Sequence, residues 1–126
     1  MNAQEIFDKV ATHLIVQGER SINDHIAGGC AYRGVGGMSC AVGCLIPDKA
    51  YKQSMEGTTA GAIIEQYPSL KWMVKHKQLL SSLQGVHDNH TPMEWRQKLI
   101  ERAEVFRLDT KALQFAIRRP AIGVTG

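Results

Sequence analysis

Three cysteines, Cys30, Cys40 and Cys44, fall within fifteen positions of this 126-residue chain, which has no others. A thiol offers nucleophilic attack as the thiolate or ligation of a soft metal ion. Cys40 follows Ser39, so a short helix from Cys40 to Ile46, stopped by Pro47, would place the thiol at a helix start and lower its pKa. His87 is then the candidate base, with Asp88 or Asn89 to orient the imidazole. In the metal reading Cys30, Cys40 and Cys44 provide three soft ligands, and His87, His25 or His90 a fourth. The Cys-x3-Cys spacing permits zinc, but a zinc signature rests on two close pairs and this chain has one. The third reading is packing, since a free cysteine is often a small buried apolar residue. All three readings are open, and packing is preferred. No cofactor is expected, with zinc as the one alternative.

Two further groups have the chemistry of binding sites. Tyr32 and Arg33 precede the glycine-rich connector Gly34-Val35-Gly36-Gly37. The connector lacks the Gly-Lys-Ser/Thr ending of a phosphate loop and is expected to turn a hairpin. An arginine held beside a rigid turn can engage a carboxylate or a phosphate; it can equally pair internally with Asp48 or Glu56. Trp72 stands among Lys71, Lys75 and Lys77, as an exposed binding anchor or as half-buried helix packing.

The elements that position these groups read as mostly α, in an α+β arrangement of about five helices with a small β-hairpin or irregular insert near residues 30–46. Asn2 and Glu5 open a first helix carrying Ile6, Phe7, Val10, Ala11 and Leu14 on one face, with Gly18 as its stop. Residues 19–29 read as a loop. Residues 38–46 fit a returning strand or a short helix, and Ala41 and Gly43 imply close backbone approach in either case. Thr58 or Thr59 caps a helix that ends at Pro68. A longer stretch follows with Leu70, Met73, Val74, Leu79, Leu80 and Leu83 as apolar positions, and Gly85 as a break or an end. The run from His87 to Pro92 reads as a loop. Thr91-Pro92-Met93-Glu94 starts a helix lined by Trp95, Leu99, Ala103 and Phe106. Asp109 caps a last helix with Leu113, Ala116 and Ile117. One globular domain over 1–119 and a frayed tail over 120–126 are expected.

A hydrophobic fraction of 44% with 21% charged residues is ordinary for a soluble globule. No apolar run approaches the ~20 residues that span a bilayer, and the first residues lack the layout of a signal peptide. A cytoplasmic protein with reduced thiols and no membrane contact is therefore expected. Residues 1–68 hold five Lys/Arg against seven Asp/Glu, while residues 69–126 hold ten against five. The basic second half can favour an acidic partner, nucleic acid included, although no nucleic-acid-binding signature accompanies it.

The string Cys30-Ala-Tyr-Arg-Gly, then Cys40-Ala-Val-Gly-Cys-Leu-Ile-Pro-Asp, Tyr51 and Met55-Glu56-Gly57 resembles a family of small uncharacterised proteins of tailed phages and prophages. Leu83-Gln-Gly-Val-His-Asp88, Trp95, Leu99, Ala103 and Phe106 extend the resemblance over nearly the whole chain. A looser similarity runs to a bacterial family of unknown function with a Cys-x-x-Gly segment, a downstream Asn-Asp or His-Asp and a final amphipathic helix. The resemblance implies a phage-associated setting, inside the bacterial host, and no particular activity. Three function classes follow. The preferred one is a binding protein for a host or phage macromolecule, of host-takeover or anti-defence type, with Tyr32, Arg33, Trp72 and Lys75 as contacts and a protein as partner. The second is a cysteine-dependent hydrolase or transferase using Cys40, His87 and Asp88. The third binds a small anionic ligand or nucleic acid through Arg33 and the basic half.

Overall fold

Local capping signals set most helix starts. In the computed structural model, which describes residues 1–25 and 30–120, the Asn2 side chain accepts from the Glu5 N–H at 2.8 Å and Glu5 accepts from the Asn2 N–H at 2.9 Å. This capping box starts α1 (Ala3–Gln17), which ends where Gly18 turns left-handed at φ 66. Thr59 caps α2 (Ala60–Gln66), accepting the Ala62 N–H at 3.3 Å. A nine-residue 3-10 segment, Pro68–His76, leads directly into α3 (Lys77–Asn89). The Thr91–Glu94 capping box starts a 3-10 turn that becomes α4 (Trp95–Val105), and α5 (Lys111–Phe115) follows.

The fold is mostly helical, as the periodicity predicts. The apolar face of α1 packs against α3, α4 and α5, and α2 packs on α3 and the 3-10 segment. Side chains from Ile6 to Ala116 join in one buried cluster, in which Phe7, Leu14, Leu80 and Trp95 are wholly buried. No helix among the described residues is long and apolar enough to cross a membrane.

Four expectations need correction. The first is the hairpin, which does not form among the described residues; their one strand-like pairing is an isolated bridge between Ile22 and Cys30. The N–H groups of Ala31 and Val35 donate instead to the carbonyls of Ser21 and Ile22, at 2.9 and 3.0 Å. Residues 40–46 satisfy their own backbone through short-range turns, Cys44 to Cys40 at 3.1 Å and Leu45 to Val42 at 3.0 Å, so no ladder partner is left over. The insert is irregular, yet the expected close approach is real: a Cβ on Gly43 would stand 2.3 Å from the Tyr32 carbonyl oxygen.

Val74, expected in the core, is 45% exposed. Because the segment turns every three residues, Leu70 and Met73 fall inward and the row Lys71–Val74 falls outward. Gly85 neither breaks nor ends α3, which runs through His87 and Asp88, residues the sequence places in a loop. The last helix closes at Phe115: Ala116 is buried but Ile117 is 77% exposed. Asp109 does accept the Lys111 N–H at 3.2 Å. Residues 26–29 of the expected loop and 121–126 of the expected tail lie outside the described residues.

Candidate functional site

His87 is the hub of the interior. It is fully buried, and its ring stacks on Trp95 with centroids 5.5 Å apart. The backbone N–H of Ser21 donates to Nε2 at 2.9 Å, and Nδ1 lies 2.7 Å from Asp88 Oδ1. A backbone N–H can only donate, so Nε2 is the acceptor, Nδ1 carries the proton, and Nδ1–H donates to Asp88. Gln84, one turn earlier, donates from Nε2 to the same Asp88 oxygen at 2.9 Å and accepts the Val42 N–H at 3.0 Å. Arg20 closes the assembly by donating to the carbonyls of His87 and His90, at 3.3 and 2.9 Å. One polar chain thus ties the 19–25 loop, α3 and the cysteine block together.

The thiol beside this chain is Cys30. Its Sγ, an Asp88 oxygen and a His87 nitrogen all lie within 4.8 Å of one another. Burial, then the Asp88 charge and a hydrogen bond to it, push the Cys30 thiol above its ordinary value. At Asp88 burial acts upward, but the donors from His87 and Gln84 outweigh it and hold the carboxyl below its ordinary value. An unperturbed thiol already sits about 4.6 pKa units above an aspartate, so proton transfer from Cys30 to Asp88 costs more than about 6 kcal/mol. This thiol stays protonated and does not attack.

Cys40 is not a nucleophile either. It is 1% exposed, burial pushes its thiol far up, and its Sγ accepts the Gly43 N–H at 3.4 Å. The group gathered around His87 contains Cys30 in its place. Cys44 donates its S–H to the Ala41 carbonyl at 3.1 Å, and burial pushes the thiol up to about 12.

A zinc site built from Cys30, Cys40, Cys44 and His87 does not assemble among the described residues. Ligation through Nδ1 would remove that proton while the Ser21 N–H keeps Nε2 from taking it. His25 is exposed, and the His90 carbonyl already accepts from Arg20 and Trp95. A serine–histidine pair fails by the same logic. His13 Nε2 lies 2.8 Å from the Ser39 carbonyl, so it donates there and cannot deprotonate Ser39 Oγ at 3.2 Å.

Tyr32 and Arg33 prove to be architecture. The Glu56 carboxylate accepts both of their backbone N–H groups, at 2.9 and 3.0 Å, and the Tyr51 hydroxyl at 2.6 Å. The Tyr32 hydroxyl donates to the Thr58 carbonyl at 2.5 Å. The Arg33 guanidinium donates to the carbonyls of Gly43 and Ile46 and to Asp48, and lies over the Tyr51 ring. Its hydrogen-bonding capacity is spent inside the fold, which leaves little for a ligand.

Trp72 and Lys75 face the other way. With Lys71, Val74 and Met1 they line a surface hollow of about 420 Å³, where Trp72 is 36% exposed. Neither Lys71 nor Lys75 has an ion-pair partner among the described residues. Sequence reading misses Ser21 and Gln84. Gln84, His87 and Asp88 do share one helix face at spacings of three and four, the one signal that could have joined them. Comparison with protein-family models, curated proteins and solved structures returns no match to this chain.

The thiol arrangement has a direct readout. Iodoacetamide at pH 7 is expected to modify half-exposed Cys30 slowly and Cys40 not at all in the native protein, and all three thiols alike in urea. Mass spectrometry of the labelled peptides checks it, and rapid native labelling of Cys40 would contradict the burial argument.

Proposed function

We propose that this protein works by binding a macromolecule, through the surface built around Trp72. The observation that carries this reading is the sorting made by the 3-10 segment, which sends Trp72, Val74, Lys71 and Lys75 outward while the cysteine block turns inward. A large aromatic anchor beside an aliphatic side chain and two lysines without ion-pair partners fits a protein segment that pairs apolar with acidic side chains. The resemblance to small tailed-phage proteins supplies the setting: the cytoplasm of a bacterial host, with a host or phage protein as partner, and a host-takeover or anti-defence role. Internal consumption of Arg33 weighs against the anionic-ligand alternative, and burial of Cys40 weighs against the enzyme alternative.

The test is capture from the host cell with immobilised protein, comparing the native chain with Trp72→Ala, Lys75→Glu and Cys30→Ser. Trp72→Ala should weaken capture of the partner at least about 30-fold, the effect of losing one strong anchor. Lys75→Glu should weaken it further in low salt, and Cys30→Ser should leave it intact. Capture indifferent to both surface changes would remove the proposal.

A further inference from the structure

We propose that the cavity walled by Cys30, Thr58, Asp88 and Asn89 binds a small organic cation, a primary ammonium or guanidinium on a short body, with Asp88 as its counter-ion. The cavity encloses about 340 Å³, within the range of small-ligand pockets. Its position is independent of the Trp72 surface, with which it shares no lining residue.

Four observations converge on a cation. The recorded nitrogen donors to Asp88, His87 Nδ1 and Gln84 Nε2, both end on Oδ1, so Oδ2 is the oxygen left for the cavity. No lysine or arginine among the described residues forms an ion pair with Asp88, and none lines the cavity. Arg20, the nearby guanidinium, is spent on the carbonyls of His87 and His90. The thiol of Cys30 remains protonated and supplies no second charge. The wall therefore carries one negative charge that the fold has fixed in place through the Ser21–His87–Asp88 chain and has not neutralised.

The remaining lining sets the size and polarity of the guest. Thr58 and Asn89 offer polar groups near the carboxylate, while Ala31, Ala60 and the Tyr32 side chain offer an apolar wall. A strongly hydrated inorganic ion gains little from such a wall, whereas an ammonium with a short alkyl body uses both halves. The carboxylate supplies charge-assisted hydrogen bonds to the nitrogen, stronger than neutral ones.

The experiment is an amide-resolved NMR titration of the full chain at low salt with n-butylammonium, guanidinium and, as the anionic control, butyrate. Butylammonium and guanidinium should shift the amides of Ala31, Thr58 and Asn89 saturably, with dissociation constants on the order of 1 mM for so small a probe. Butyrate should not. Asp88→Asn should weaken binding at least about tenfold, the loss expected of a charge-assisted contact. Because that change also touches His87, Thr58→Leu serves as a second variant: it fills the cavity with the Asp88–His87 pair intact and should abolish saturation. Equal binding of butyrate, no saturable shift with either cation, or unchanged affinity in folded Thr58→Leu would each overturn the assignment.

Discussion

Replacing His87 by alanine should lower folding stability by about 3–5 kcal/mol, measured as a shift of the urea midpoint at unchanged slope. Three losses add up in one substitution. The ring leaves a void against Trp95, a wholly buried side chain that stacks on it. The Ser21 N–H, bonded to Nε2 at 2.9 Å in a buried position, is left without an acceptor. Asp88 loses the Nδ1–H donor that helps to hold its pKa down. His87→Phe separates the contributions, because it restores the ring volume while leaving both polar partners unmatched. It should recover about half of the loss. A change below about 1 kcal/mol in His87→Ala would mean that the histidine is not the structural hub described. That outcome would also reopen its candidacy as a base or ligand, which rests on its ring nitrogens being uncommitted.

Gly43→Ala should be the most damaging small substitution in the cysteine block, at about 3 kcal/mol or failure to accumulate as folded protein. An added Cβ would stand 2.3 Å from the Tyr32 carbonyl oxygen and 3.0 Å from its carbonyl carbon, and backbone cannot yield as a flexible side chain can. Separation of the two segments would break the Arg33 hydrogen bonds to the Gly43 and Ile46 carbonyls and strain the Glu56 bonds to Tyr32 and Arg33. Gly85→Ala is the matching control. Its Cβ would meet nothing closer than 3.7 Å inside a regular helix, so it should be neutral or slightly stabilising in the same urea titration. Similar values for the two alanines would show that close approach at Gly43 is not what holds the block together.

These expectations explain which parts of the molecule were legible beforehand. The caps at Asn2, Thr59 and Thr91 involve side chains reaching backbone two to four residues away, so their signal lies within a short window. The buried faces of α1 and α4 follow from a 3.6-residue period and appear where that period places them. The same assumption misplaces Val74, because a 3-10 segment advances three residues per turn and no composition marks that difference. Residues 30–46 escaped assignment for a related reason. Their backbone partners are the carbonyls of Ser21 and Ile22, which any residue type could supply.

By itself, then, the sequence determined a mostly helical chain, the caps and core faces of its main helices, and a tight glycine-dependent contact around Gly43, because these depend on interactions within a few residues or on side-chain volume. The tertiary structure alone decided the fate of the chemically active groups. Cys40 and His87 lie 47 positions apart in the chain, and nothing in their spacing says that His87 is occupied by the Ser21 N–H and Asp88, or that Cys30 is the thiol beside them. Whether an imidazole is a base, a ligand or a structural hub depends on what faces each nitrogen, and here one of those partners is a backbone N–H that carries no signature in the sequence.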